Sequence, residues 1–274
     1  MPGADRYPCS DERYPALAGP WVAVCGPSGD VDRVISLLDQ REFPLPVAHA
    51  SPALADSVIY VPGMAGGTWT LTEAGPLAVD EPGRVARVPA APPTTDGDHF
   101  ALLGDVALEV WTSGERSHKT WTTIARGWQA PALAWPWVAW VADGPAGGQV
   151  WAIDVRQTNP APLSAPTADA RHPAGAGSRL WWVEDGVLVA WDSTTQARQV
   201  VDAGPTGFSA PLSAWGEVVC WEERGRDGVD ARCSDGLTAS GPGDQRWPSR
   251  YDRWLLFRED GRTRLAELPL PEVP

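Results

Sequence analysis

The chain has 274 residues, of which 43% are hydrophobic and 21% are charged, with a formal net charge of −13 at pH 7 and a pI near 4.7. Nucleic-acid backbones and anionic membrane surfaces attract clustered Lys and Arg, so this acidic balance argues against both as partners. The longest nearly apolar run, 130–142, contains two prolines. It is shorter than the roughly 18 residues of a membrane span, so we expect no membrane insertion.

A unit of about 40 residues recurs along the chain, as the blades of a propeller do. Its clearest copy, 131–154, has a first apolar run through Trp140, a Gly-rich turn and a second apolar run ending at Asp154. Prolines mark seven copies, at Pro15, Pro52, Pro92, Pro131, Pro173, Pro211 and Pro248. Strand-like units of this length cannot bury both faces alone. The sequence therefore predicts an all-β fold, a seven-bladed β-propeller of four-stranded antiparallel blades, with residues 1–274 as one domain.

In chain order, the first blade contains the least certain strand, because the apolar residues of 31–39 also fit one face of a helix. Its place in the repeat predicts a strand. The third blade, from about Pro92, diverges most from the pattern. The last blade ends in PLPEVP, whose prolines make a poor hydrogen-bonded strand. The sequence leaves open which terminus supplies the closing strand.

The N-terminal segment and the four cysteines indicate the cellular compartment of the protein. The N-terminal segment has neither the basic nor the apolar region of a signal peptide, so the protein is either cytosolic or has lost a leader. Of three possible pairings, the local one, Cys9 with Cys25 and Cys220 with Cys233, suits a ring, and four buried free thiols are the alternative. Disulfides form outside the cytosol, so we expect a periplasmic, cell-surface or secreted protein.

The 16 tryptophans fall into two groups. Six occupy repeat positions and are predicted to pack between blades: Trp111, Trp140, Trp151, Trp182, Trp191 and Trp221. Four fall in predicted turns or connectors, Trp128, Trp135, Trp215 and Trp247, and even there we favour a structural role over exposure for ligand binding.

Acidic residues close the third strand of several units, at Asp39, Asp154, Asp192 and Asp235. An Asp at the start of a turn accepts a hydrogen bond from the backbone amide two residues on. We expect this structural role for all four.

Three segments, 129–154, 169–192 and 210–235, share one order of features. Each has a proline, a short first strand, an apolar and aromatic second strand, a turn, and a third strand ending in Asp. This pattern resembles TolB-type (WD-like) β-propeller repeats, and the resemblance covers nearly the whole chain. It implies the propeller fold and an extracytoplasmic binding scaffold, and it implies no reaction.

The first functional hypothesis is therefore a non-enzymatic scaffold that binds a protein or glycan partner, as a monomer or within a larger assembly. The pattern D-x-R-x-P recurs in three connectors. It predicts a basic and aromatic surface, the connector patch, formed by Arg13, Tyr14, Arg171, His172, Arg246 and Trp247. The alternative is that each Arg pairs with the Asp two residues before it, in an exposed ion pair of little energetic value.

The second hypothesis is a metal-dependent polysaccharide lyase or hydrolase with a site at the channel mouth. Its ligands would come from His49, His99, His118 and His172, which lack the spacing of known metal sites. No GxSxG and no Gly-rich phosphate loop is present. We therefore predict no catalytic residue and no cofactor.

Overall fold

The computed structural model describes residues 16–25, 31–45, 53–55, 58–61, 67–72, 75–78, 94–104, 107–112, 118–122, 129–202, 211–224, 228–259 and 262–267. Within these ranges the regular elements are β-strands, and they form antiparallel sheets of consecutive strands. Within them, too, we find no helix long and apolar enough to cross a membrane.

The first three sheets come from the N-terminal half. Blade one contains β1 (Ala16–Ala18), β2 (Trp21–Cys25), β3 (Val31–Ser36) and β4 (Glu42–Pro44). Blade two contains β5 (Ala53–Ala55), β6 (Val58–Val61), β7 (Gly67–Thr72) and β8 (Gly75–Ala78). Blade three contains β9 (Thr94–Thr95), β10 (His99–Leu103), β11 (Ala107–Thr112) and β12 (His118–Thr122).

The remaining sheets follow in the same way. Blade four contains β13 (Ala132–Ala134), β14 (Trp137–Gly144), β15 (Gly147–Asp154) and β16 (Ala161–Pro162). Blade five contains β17 (Ala170–Ala176), β18 (Arg179–Glu184), β19 (Val187–Asp192) and β20 (Arg198–Asp202). Blade six contains β21 (Ser213–Trp215), β22 (Val218–Arg224), β23 (Val229–Cys233) and β24 (Thr238–Ala239). The last sheet contains β25 (Gln245–Tyr251), β26 (Trp254–Glu259) and β27 (Arg262–Glu267).

The prediction of seven four-stranded blades is wrong. The described residues form six four-stranded blades, and the last sheet has three strands. The chain after Glu267 reads LPLPEVP, and its prolines have no N–H to donate to a neighbouring strand. The repeat in the sequence therefore overestimates the number of complete blades.

The sheets surround a central channel. The first strand of each sheet contacts the first strand of the next, and β25 contacts β1. The first strands therefore line the channel and the ring is closed. The predicted strand in 31–39 is confirmed as β3, so the helical alternative for this segment is wrong.

Burial along the strands explains why the sheets form a ring. In β14 the five consecutive residues from Val138 to Ala142 are buried, so both faces of this sheet are covered by neighbours. Trp140 packs with Leu133 and Ala101 between blades three and four, and Trp182 packs with Val141 between blades four and five. The predicted burial of Trp140, Trp182 and Trp221 is confirmed, with exposed fractions of 2%, 0% and 4%.

The aspartates at or just after the ends of third strands act as predicted. Each accepts a hydrogen bond from the backbone amide two residues on: Asp39 from Arg41, Asp154 from Arg156, Asp192 from Thr194, and Asp235 from Leu237. The side-chain hydrogen bond from Arg156 also lowers the pKa of Asp154.

One predicted disulfide is confirmed. Cys220 and Cys233 are paired residues on β22 and β23 and are disulfide-bonded within the core. Cys25 is also disulfide-bonded, and Cys9 lies outside the described residues.

Side-chain packing joins blade one to the last sheet. Leu256 of β26 is fully buried against Val22, Val24 and Ile35 of blade one. We expect Leu256→Ala to lower the free energy of unfolding by about 2 to 5 kcal/mol, because it leaves a cavity at the seam of the ring. Urea unfolding followed by circular dichroism measures this change.

The control is Leu38→Ala, since Leu38 is 83% exposed. It should change the free energy of unfolding by less than about 0.5 kcal/mol. Equal effects of the two substitutions would show that Leu256 packing does not hold the seam.

Candidate functional site

A cavity of about 480 Å³ opens at the end of the channel where the first strands turn into the second strands. We call it the mouth cavity. Its walls come from the first strands of the blades and the last sheet, and from the turns that follow them, including Trp135, Gly177 and Gly216.

Seven residues at one register position border the mouth cavity. They are Leu17, Leu54, Thr95, Leu133, Gly175, Ala214 and Arg250, which pair across the first hairpin with Val22, Ile59, Phe100, Val138, Leu180, Val219 and Leu255. Leucine occupies this position in blades one, two and four. Blade three has Thr, blades five and six have Gly and Ala, and the last sheet has Arg. The Leu side chains therefore make part of the cavity wall apolar, and the other sheets contribute polar, small or charged residues.

The glycine at position 175 is required by the close approach of two first strands. A Cβ atom at this residue would lie 2.4 Å from the backbone oxygen of Leu133. Only glycine therefore permits the close approach of β17 to β13.

The next register position also changes in blade six and the last sheet. Ala134 and Ala176 end the first strands of blades four and five, whereas Trp215 and Tyr251 end those of blade six and the last sheet. The two rings meet across the blade boundary, with centroids 5.5 Å apart and planes tilted by 56°. This side of the mouth cavity therefore has an aromatic rim.

A second aromatic group lies on the blade three and blade four side. The His99 imidazole stacks on the Trp135 indole, with centroids 3.3 Å apart and an interplanar angle of 8°. Asp96 lies 3.0 Å from His99 Nδ1, and its other oxygen accepts hydrogen bonds from the backbone N–H groups of Asp98 and His99. Trp135 stays 41% exposed. Trp135 therefore keeps an exposed surface, contrary to the structural role favoured from the sequence, and its ring is held by stacking on His99.

Arg250 forms the polar part of the wall and is 9% exposed. Its Nη2 lies 3.1 Å from Asp235 of blade six, and its Nε donates to the Asp252 backbone oxygen. Its Nη1 is buried without a hydrogen-bond acceptor in the described part of the chain. A buried donor without an acceptor costs free energy, so this atom is an unfavourable feature of the folded chain.

The connector patch lies at the opposite end of the first strands. Arg171 lies 2.5 Å from Asp169, and Arg246 lies 2.7 Å from Asp244. These contacts raise the pKa of Arg171 and lower the pKa of Asp244. The alternative of connector ion pairs is thus confirmed for two connectors. Arg13 and Tyr14 lie outside the described residues.

The D-x-R-x-P pattern has a structural cause. His172 and Trp247 have positive φ angles of 55° and 52°, and each precedes a proline at a register shift of its strand. The His172 N–H donates to Gln129 Oε1, and the Trp247 N–H donates to Glu222 Oε1. Both acceptors are buried. The shared motif therefore forms a bulge anchored by a buried acceptor.

The side chains of these bulge residues are also engaged. Trp247 is half-buried, and the Arg258 guanidinium lies 4.4 Å from its ring centroid. Burial, together with the charge of Arg171, lowers the pKa of His172 to about 4, against the opposing effect of Asp169. His172 is therefore a neutral residue at pH 7.

His172 lies four residues before Ala176 on β17, and four residues of extended chain span about 13 Å. Ala176 borders the mouth cavity. The connector patch and the mouth cavity are thus two different surfaces. The structure does not bring Arg171, His172, Arg246 and Trp247 to the cavity, and their role in binding stays a prediction.

The metal hypothesis requires at least three of its histidines to lie together. Within the described ranges no three His, Cys, Asp or Glu side chains lie together as a metal site would require. His49 lies outside these ranges.

Three solved structures are similar in fold to this chain. The β-propeller domain of the trilobed protease from Pyrococcus furiosus has a TM-score of 0.65 and 8% identity, over 93% of this chain and 94% of that one. The chain is a β-propeller. BamB from Moraxella catarrhalis has a TM-score of 0.54 and 14% identity, over 95% and 86% of the two chains. An inactive virginiamycin B lyase from Staphylococcus aureus has a TM-score of 0.57 and 11% identity, over 96% and 95%.

At these identities the likeness establishes the propeller fold alone and does not distinguish a TolB-type repeat. No family model and no curated protein matches the sequence.

Sequence reasoning missed Arg250, Tyr251 and Asp98 as cavity residues. A signal was present, because the first strands of blades one, two and four all read ALA, whereas that of blade six reads SAW. A residue that departs from the repeated sequence on a first strand can therefore indicate the wall of the mouth cavity.

The lowered pKa of His172 predicts a pH dependence. Between about pH 6.5 and pH 4 the unfolded chain binds a proton at His172 and the folded chain does not, so stability falls as the pH is lowered through this window. We expect the difference in unfolding free energy between wild type and His172→Gln to change by about 3 kcal/mol across it. Urea unfolding at several pH values measures this, and parallel pH profiles would contradict it.

Proposed function

We propose that this propeller is a non-enzymatic binding module that works outside the cytoplasm and holds a protein or glycan partner at the mouth cavity. The observation that carries the proposal is Trp135, an exposed indole fixed by stacking on His99 at the edge of a cavity. Aromatic residues held in place before binding lose little conformational entropy when a partner arrives.

The cavity supports the same conclusion. Small-molecule and cofactor sites are concave, mostly apolar, and carry a few converging polar groups, with volumes of about 300 to 1,000 Å³. The mouth cavity has a volume of about 480 Å³, aromatic residues on two sides, and Arg250 in its wall. Gly175, Ala214 and Arg250, which replace the repeated Leu, are among the residues that border it.

The disulfide supports the proposed location. Cys220 and Cys233 are both buried and bonded. Such bonds persist in oxidising compartments and are rare in the cytosol of most cells.

The test compares wild type, Trp135→Ala and Arg171→Ala against an oligosaccharide array and a random-peptide display library. We expect a probe that wild type retains to bind Trp135→Ala at least about tenfold more weakly, because a central aromatic anchor contributes more than about 1.4 kcal/mol. Arg171→Ala is the matched control at the other end of the channel, and its affinity should stay within about threefold.

The opposite pattern, loss with Arg171→Ala and retention with Trp135→Ala, would move the site to the connector patch. Absence of binding to both libraries would contradict the proposal.

The non-enzymatic part has its own test. Wild type incubated with polysaccharides, with added zinc or calcium and separately with a chelator, should release no unsaturated sugar ends and no new reducing ends. Chelator-sensitive release of either product would contradict this part and favour the lyase or hydrolase hypothesis.

A further inference from the structure

We propose that the ligand of the mouth cavity is a neutral oligosaccharide segment, an inference that rests on the binding function proposed above. Its three supports are the indole platform, the mixture of hydrogen-bonding groups, and the balance of charge around the cavity.

The platform suits a sugar ring. His99 covers one face of Trp135, and 41% of the indole remains exposed. The face of an aromatic ring is negative, so it attracts the partly positive C–H groups on the apolar face of a pyranose. The Trp215 and Tyr251 rings on the far rim supply a second aromatic surface. A segment of one or more sugar units can therefore contact both sides of the cavity.

The hydrogen-bonding groups call for both donors and acceptors on the ligand. Asp98 borders the cavity and presents a carboxylate, which accepts hydrogen bonds. Arg250 also borders the cavity, and its guanidinium group only donates hydrogen bonds. A sugar hydroxyl both donates and accepts, so a single type of group on the ligand satisfies the two demands.

Charge distinguishes a neutral sugar from two other ligands. Asp96 and Asp98 border the cavity, and Asp235 pairs with Arg250, the one Arg or Lys among the described lining residues. A uronate would therefore enter a site with more negative than positive charge and is disfavoured. A quaternary ammonium would suit the aromatic rings, but it has no acceptor for the guanidinium group of the lining residue Arg250.

The experiment uses the purified full chain and three immobilised probe sets. One contains neutral hexose and N-acetylhexosamine oligosaccharides, the second contains oligosaccharides with uronate groups, and the third contains a trimethylammonium group. Biolayer interferometry measures the affinity of wild type, Trp135→Ala, Trp135→Phe, His99→Gln and Arg171→Ala for each.

We expect a neutral oligosaccharide to bind wild type. Its affinity should fall at least tenfold in Trp135→Ala and recover to within about threefold of wild type in Trp135→Phe, which keeps an aromatic face. His99→Gln should weaken binding severalfold, because the Trp135 ring loses its stacking partner and is no longer fixed. Arg171→Ala should be unchanged. Between about 0.1 M and 1 M salt the affinity should change less than twofold, because an uncharged ligand is not screened.

The recovery in Trp135→Phe keeps the test decisive if Trp135→Ala is poorly folded. Thermal unfolding midpoints equal to wild type establish that each variant is folded before its affinity is compared.

The failures are distinguishable. Binding of the uronate or trimethylammonium set, with loss in Trp135→Ala, overturns the neutral-sugar inference and leaves the proposed binding function standing. Binding of a neutral oligosaccharide that neither Trp135 variant alters also overturns the inference. If no probe and no displayed peptide binds, both the inference and the proposed function are overturned.

Discussion

The structure depends on apolar packing between neighbouring sheets. Central strands such as β14 and β18 are buried on both faces, so their sheets are not stable with one face exposed to water. Every sheet has a neighbouring sheet on both faces only when blade one also packs against the last sheet. Leu256 and the residues of blade one around it form that contact. Closure within the described residues therefore rests on side-chain packing, since each sheet consists of consecutive strands of the chain.

This constraint determines where variation is tolerated. The faces of the strands must fill the space between blades, whereas the residues that border the channel face a gap. At the mouth, the register position that holds Leu in three blades holds Thr95, Gly175, Ala214 and Arg250 elsewhere. The packing of the ring and the candidate site thus use the same short strands, and the site includes positions where the repeat is broken.

Several features could be predicted from the sequence because they depend on local pattern. Alternating apolar runs and turn residues indicated the strands, the repeat placed Trp140 and Trp182 between blades, and the spacing of Cys220 and Cys233 indicated a hairpin disulfide. The predicted number of complete blades was wrong. A strand needs free N–H groups and a neighbouring strand to pair with, and counting repeats in the sequence does not test either requirement. The D-x-R-x-P motif was interpreted as a binding surface, whereas two of its copies form strand bulges that are anchored by buried acceptors.

The sequence by itself determined the class of fold and the burial of the repeated indoles, since these follow from hydrophobic period and from turn chemistry. Only the tertiary structure decided which residues meet at the mouth. His99 and Trp135, and likewise Trp215 and Tyr251, come from different sheets and are about 36 residues apart in the chain, roughly one repeat. Their contact depends on how far each sheet is rotated and set against the next. That geometry results from the packing of the whole ring, and no local pattern specifies it.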